Sequence, residues 1–473
     1  MRVAVVRPPE VNPYWQVARP LLGIGYISSY LESNGIECKI FDANFNAWTE
    51  EQTVEAVVKY NPDLIGFSAM THEICAAHSL ASKLNSSLSG VPAVIGGCHI
   101  TALPQETLEE FPCFTYGIYG EGEKTMLQLA RYLQQSKSDS LSDINGLVYR
   151  SNFAKIQINP PRARLSSEEL DKLPYPMFSQ YYKTEKPLAG KDDYYVMMSS
   201  RGCPYNCVFC MQVLGRQVRR RSAKSVVDEM EYAIERYEAH SVYFFDEIFL
   251  FNDKLTYDTI ELMKKRDLPK RIRWQGLTRV NFVDENLIKQ AKEAGCFALQ
   301  LGIESGNDEI LKVINKHITV KDAEAAVKIM KKAGVSVEAN FILGHPGETP
   351  ETIKETIDFA ARLNTDLVSI GIMTPYPGTK VYEMAKRGEG GYRLLTKDWS
   401  KYDKYGGKAL ELKGLPIKEL EKWQRRGLLN FYLKNFRILD LTKFVLRYRR
   451  TIFNLLLKHL GLFQKHSERV SQQ

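Results

Sequence analysis

Residues 194–211 read YYVMMSSRGCPYNCVFCM. An apolar run bounded by Ser199, Ser200 and Gly202 reads as a short buried strand, here placed at 194–200. Cys203, Cys207 and Cys210 follow at once, in the loop at the strand's carboxyl end, where α/β folds carry their chemistry. The spacing is C-x3-C-x2-C. A closed zinc site takes four ligands, usually as two pairs, yet the next cysteine is Cys296 and the nearest downstream histidine is His240. Bacterial ferredoxin spacing (x2, x2, x3, then Pro) is not matched. A disulfide with one thiol left over suits a reducing compartment poorly. The remaining reading is an iron–sulfur cluster on three thiolates, with one iron open to a further ligand.

Downstream of this loop, strands are expected at 241–245, 273–278, 298–303, 335–343 and 367–373. Helical patterns such as AKSVVDEMEYAIERYE and VKDAEAAVKIMKKAG lie between them. With the strand at 194–200 this makes six strand–helix units, a barrel or partial barrel whose site lies at the carboxyl ends of its strands. Upstream, apolar runs at 3–6, 37–41, 64–70, 91–97 and 114–119 alternate with helical patterns at 21–33, 50–60 and 74–88. That alternation argues a parallel sheet covered on both faces. The loops after these strands, RPPEVN, SAMTHE, GGCHIT and YGEGE, are rich in Gly, Pro and small polar residues. Glycine lets backbone come close to a ligand. Between the two halves, residues 136–190 are polar and Pro-rich, with a small hairpin expected within GLVYRSNFAKIQIN.

The net charge of +8 over 473 residues is uneven. Residues 415–473 hold 13 Lys or Arg against 4 Asp or Glu, so the rest is about neutral. No apolar run reaches the ~18 residues of a spanning helix. The short apolar run in the first ten residues, MRVAVVRPPE, is broken by Arg7-Pro8-Pro9, so no signal peptide is expected there. With eight cysteines, three of them clustered, a reducing cytoplasmic location is expected. From residue 440 onward Leu441, Phe444, Val445, Tyr448, Ile452, Leu455 and Leu456 fall at helical spacing, with Lys443, Arg447 and Arg450 on another face. Such a helix either packs on its own domain with a solvated basic face or makes peripheral contact with an anionic membrane. No RNA-binding module accompanies the charge, so nucleic acid is not an expected partner.

The cysteine motif, with Phe209 before its last cysteine, resembles the signature of radical S-adenosylmethionine (SAM) enzymes. The resemblance extends over about residues 190–385. YFFDEIF resembles the family's acidic motif, which implies Asp246 and Glu247 facing the methionine ammonium. A carboxylate suits that cation. LGIESGN resembles the segment that meets ribose and carboxylate, which points to Glu304 and Ser305. FILGHPGET resembles the glycine motif near the adenine, which includes Gly344, and IMTPYPGT resembles the sixth strand. Residues 1–130 resemble the cobalamin-binding domain that precedes such barrels. There Ser68, Thr71, Gly96, Gly97, His99, Gly120, Glu121 and Gly122 would line the cobalamin tail. The D-x-H-x-x-G motif of many cobalamin domains is missing, because the chain reads DANFNAW from Asp42. No protein histidine on cobalt is therefore expected. No G-x-G-x-x-G follows the first strand, which counts against a dinucleotide.

The expected fold is α/β: a Rossmann-like cobalamin-binding domain (1–135), a connector with a hairpin (136–190), a partial (β/α)6 radical SAM barrel (191–385) and a helical C-terminal region (386–473). The resemblance implies a 4Fe–4S cluster, S-adenosylmethionine and cobalamin, with Cys203, Cys207 and Cys210 as cluster ligands. It also implies an electron donor such as flavodoxin or ferredoxin. The implied activity is reductive cleavage of S-adenosylmethionine to a 5′-deoxyadenosyl radical, with methylation of an unactivated carbon of a small-molecule substrate. The alternative is a cobalamin-dependent cyclase or oxidoreductase without methyl transfer. RNA methylthiotransfer is disfavoured because Cys38, Cys75, Cys98 and Cys113 sit on unrelated elements. A non-catalytic cobalamin or redox sensor is disfavoured by the acidic and glycine segments of the barrel.

Overall fold

A computed structural model describes residues 1–9, 19–134, 140–151, 155–181, 194–404, 408–438, 441–442 and 446. Of the basic amphipathic pattern expected at the C-terminus, Lys443, Phe444, Val445, Arg447, Tyr448, Arg450, Ile452, Leu455 and Leu456 lie outside these residues. No described helix is long and apolar enough to cross a membrane.

Two parallel sheets dominate the chain. The first contains β1 (Arg2–Arg7), β2 (Glu37–Asp42), β3 (Leu64–Ser68), β4 (Ala93–Gly96), β5 (Tyr116–Ile118), β6 (Leu147–Arg150) and β7 (Ile156–Ile158), in the order β2-β1-β3-β4-β5-β6-β7. β1 to β5 run parallel, and β6 and β7 add antiparallel. The hairpin at 147–158 is thus an edge extension of the first sheet, not a separate element of the chain's middle. Val3 to Val6 are buried without alternation, as expected of a strand covered on both faces.

The second sheet contains β8 (Tyr195–Met197), β11 (Ser241–Phe244), β12 (Arg273–Thr278), β13 (Cys296–Glu304), β14 (Ser336–Leu343) and β15 (Leu367–Ile372). The order β15-β14-β13-β12-β11-β8 is sequential and every pair is parallel. β8 and β15 do not pair, so the barrel is open along that side. In β14, Val337, Ala339, Phe341 and Leu343 are buried while the residues between them are less so. One face therefore packs on the helices and the other lines the lumen. A two-residue pair, β9 (Ser200–Arg201) with β10 (Arg219–Arg220), closes the base of the cysteine loop. The hairpin of β16 (Tyr392–Leu394) and β17 (Leu410–Leu412) follows. Then comes the helix Ile417–Lys434, which packs against β15. A Cβ at Gly427 would stand 2.7 Å from Ile370 Cδ1, so glycine permits that approach.

Candidate active site

The three cysteines sit in the loop between β9 and β10. Gly202 opens it at φ +100°, and a Cβ there would lie 2.3 Å from the Gln217 carbonyl oxygen. Only glycine accepts that place. Cys203 N–H donates to the Gly215 carbonyl at 2.9 Å and Cys210 N–H to the Cys207 carbonyl at 3.1 Å. Val208 holds the middle of the loop, donating to the Ile314 carbonyl at 3.2 Å and accepting from Val381 N–H at 3.1 Å. All three cysteines are free thiols. Burial pushes Cys203 up. Desolvation of its thiol, then the neighbouring Cys207 and Cys203, push Cys210 up to about 12. Cys203 and Cys210 therefore resist ionising unless a cationic body lies beside them. No three His, Cys, Asp or Glu side chains among the described residues converge as ligands of a single ion would. An iron–sulfur cluster carries several irons, and three thiolates at its corners answer the donor set.

Around the loop stand the ends of the other strands. Asp246, after β11, is fully buried and accepts Ser199 N–H at 3.1 Å, Ser199 Oγ at 2.7 Å and Ser200 Oγ at 2.6 Å. Its carboxylate is committed to the start of the cysteine loop. Burial raises its pKa, against the pull of these hydrogen bonds. Glu247 is less buried, accepts from Gly202 N–H at 3.3 Å, and is also raised by burial. Of the two adjacent acids, Glu247 is the one with room for another partner. Glu304 ends β13 in the left-handed region at φ +76° and pairs with Lys316 Nζ at 2.8 Å, both side chains buried. Ser305 Oγ lies 3.2 Å from Thr356 Oγ1 and accepts Asn307 N–H at 3.2 Å. Gly344 follows β14 at φ +96°. Glu348 accepts the Gly344 and His345 N–H groups, and burial pushes it up to about 7. Burial holds His345 down at about 4, so its ring is neutral. It lies against Phe209 with ring centroids 5.9 Å apart. The sequence reading did not single out Lys316, His345, Glu348 or Arg279.

The first sheet presents its own carboxyl-end loops to this region. Gly97 has φ +104°, and a Cβ would stand 2.5 Å from the Ala69 carbonyl oxygen. The loops after β3 and β4 therefore touch backbone to backbone, with Ser68 at the end of β3 and the buried Thr71 in the turn beyond it. Gly120 has φ +81° and open space where a Cβ would be, and its N–H donates to Thr101 Oγ1 at 3.1 Å. Gly122 packs on Ile27. Of these glycines, Gly120 is the one whose open side faces free space, where another group can approach the backbone. His99 is buried between Phe111 and Trp399, the latter ring centroid 4.9 Å away. Its Nδ1 has no partner among the described residues, and burial lowers its pKa to about 4. Asp42 accepts Phe45 N–H at 2.9 Å and the Tyr181 hydroxyl at 3.1 Å. The place of a cobalt-ligating histidine motif thus holds a helix cap.

The two sets of loops meet through charge. Glu121 pairs with Arg219 at 2.7 Å and Arg201 at 3.6 Å, and Glu123 with Arg201 at 2.6 Å. All four side chains are 5–7% exposed. Arg201 immediately precedes Gly202 and Cys203. A Cβ at Gly378 would stand 3.2 Å from Ala102 Cβ and 3.7 Å from Met211 Cγ, so the segment after β4 also reaches the end of the cysteine loop.

Gly97→Ala is expected to weaken hydroxocobalamin binding by the intact chain about tenfold, since a strained backbone costs about 1–3 kcal/mol and the two loops must part. Spectroscopic titration measures it, with reconstituted iron content unchanged.

A family model described as the Radical SAM superfamily matches residues 197–360, and one described as a B12 binding domain matches residues 20–130. The chain is 33% identical over 439 residues to an "uncharacterized methyltransferase" of Pyrococcus horikoshii, covering 92% of this chain and 93% of the relative. It is 28% identical over 459 residues to the anaerobic magnesium-protoporphyrin IX monomethyl ester cyclase of Rubrivivax gelatinosus, covering 95% and 79%. Among solved structures it is similar to the radical S-adenosylmethionine methyltransferase TsrM of Kitasatospora setae, determined with cobalamin and a 4Fe–4S cluster. There the TM-score is 0.72 at 19% identity, covering 92% and 88%.

Proposed function

The chain belongs to the cobalamin-binding radical S-adenosylmethionine enzymes, and from that membership we propose that it methylates an unactivated carbon of a small-molecule substrate. Its cofactors are a 4Fe–4S cluster, S-adenosylmethionine and cobalamin. When bound, the cluster delivers one electron for cleavage of S-adenosylmethionine and cobalamin carries the methyl group. Cys203, Cys207 and Cys210 would hold the cluster. Glu247 would meet the methionine ammonium, and Glu304, whose carboxylate is held by Lys316, would border the ribose, with Gly344, Phe209 and Ser305 shaping the rest of the nucleoside site. Asp246 orients the Ser199–Ser200 backbone that leads into Cys203. Gly96, Gly97, Gly120 and Gly122, with Ser68 and Thr71, would floor the cobalamin site. Glu121 and His99 shape that site from behind, through Arg219 and Trp399. A flavodoxin- or ferredoxin-type protein would supply the electron.

The observation that carries this reading is the buried Glu121, Glu123, Arg201 and Arg219 quartet. It ties the cobalamin-side loop to the base of the cysteine loop. A methyl donor and its acceptor must come within about 3–3.5 Å, so the two cofactor sites have to open on one space. The similarity to an anaerobic cyclase over 95% of this chain supports a second reading, ring closure or oxidation without methyl transfer.

A product assay with methyl-labelled S-adenosylmethionine and extracts or candidate substrates separates them. Roughly equal amounts of 5′-deoxyadenosine and S-adenosylhomocysteine, with label in the substrate, are expected. Deoxyadenosine without S-adenosylhomocysteine or label would move the assignment to the cyclase type.

A further inference from the structure

Arg279 directly follows β12 and is 7% exposed. Arginine is almost never this buried without an anionic partner, because an uncompensated interior charge is costly. The described residues give it no carboxylate. The nearby Glu304 is taken by Lys316. The Arg279 guanidinium instead lies over the Tyr205 ring, its Cζ 3.5 Å from the ring centroid. Nη2 donates to the Lys316 carbonyl, and Nε reaches Asn281 Oδ1 at 3.4 Å. Nη1 points to Cys207 Sγ at 3.7 Å. Tyr205 belongs to the cysteine loop and Lys316 to the turn beneath it. The arginine is thus fixed on three sides, and its one remaining direction is a cluster-ligand sulfur.

We propose that Arg279 is a positioning residue for the cluster, donating N–H to the Cys207 thiolate and raising the cluster's reduction potential. Uptake of one electron from an external low-potential donor adds negative charge to the cluster and its three thiolates. A fixed cation at one corner stabilises the reduced form more than the oxidised one, and hydrogen bonds to cluster sulfurs act in the same direction. The arginine is the counter-charge that the thiolate set needs, and the thiolate is the anion that the arginine lacks. The proposal rests on the family's cluster and not on methyl transfer, since a potential is read without turnover.

The test is an anaerobic redox titration of the reconstituted full-length protein, followed by electron paramagnetic resonance with dithionite as reductant, alongside iron analysis. Arg279→Gln should keep its iron and titrate at lower potential. The shift should be about a tenfold loss in the reduced-to-oxidised ratio at fixed potential, about 59 mV for one electron. Arg279→Lys, which keeps the charge, should recover most of that shift. An unchanged potential in Arg279→Gln with iron retained would overturn the proposal. So would an equal fall in both variants, because charge would not be the cause. Loss of iron from both would reduce Arg279 to a structural anchor of the loop.

Discussion

Replacement of any one of Cys203, Cys207 or Cys210 by alanine is expected to abolish both the iron–sulfur absorbance of the reconstituted protein and 5′-deoxyadenosine formation. The loop that presents them is held from three directions, by Gly215, Ile314 and Val381. A neighbouring thiol therefore has no freedom to replace a missing one. Cys296 is the control. It is 1% exposed, burial pushes its thiol far up, and its Sγ lies 3.7 Å from the Ala298 carbonyl. It is a small core residue. Cys296→Ala should lose about 1 kcal/mol of stability and no iron. Full iron and deoxyadenosine in the triple Cys203/Cys207/Cys210 variant would end the cluster reading.

The largest stability effect is expected at Arg201. Arg201→Ala leaves Glu123 buried beside a single remaining arginine, Arg219, which already serves Glu121. Removing one partner of a buried ion pair costs about 3–5 kcal/mol. Arg201→Met/Glu123→Met, which removes both charges and keeps the volume, should restore most of the loss. Thermal unfolding of the two variants beside the wild type measures this, and equal midpoints for Arg201→Ala and the wild type would refute it. The pH dependence has a definite sign. Burial alone would raise Glu123, but Arg201 holds it below its ordinary value. Its contribution is therefore present above the unfolded carboxylate range, about pH 4.3, and is lost as pH falls through the lower folded value. Glu123→Gln should flatten the acid limb of the stability profile.

The strands were legible because each is a short apolar run between turn residues, and β1 to β5, β8 and β11 to β15 stand where such runs stand. The cysteine loop was legible because its chemistry is written within eight consecutive positions. What escaped the sequence is what depends on long-range pairing. Arg279 meets Cys207 across 72 positions and Arg201 meets Glu123 across 78, and no local pattern marks either arginine. Asp246 and Glu247 read as one acidic pair. Adjacent residues leaving a strand point to opposite sides, and the structure gives the first to Ser199 and Ser200 and the second to Gly202. His99 in GGCHIT reads as a loop residue open to a ligand, while its ring packs edge-on against a tryptophan that lies 300 residues further along.

That tryptophan also sets a timetable for synthesis. Trp399 Nε1 donates to both carboxylate oxygens of Glu110 at 3.0 Å, a contact 289 positions apart. Tyr382, Trp399, Tyr402 and Ala409 share one apolar cluster with Phe67 and Ile95 of the first sheet and with Phe111 in the segment before β5. At ribosomal rates of about 5–20 residues per second, the first sheet emerges roughly 15–60 s before the side chains that cover it. During that interval the patch around His99 and Phe111 is open, a surface for a chaperone or for aggregation. A chain terminated before residue 399 keeps it open permanently, so premature truncation should produce an insoluble N-terminal half even though every strand of its sheet is present.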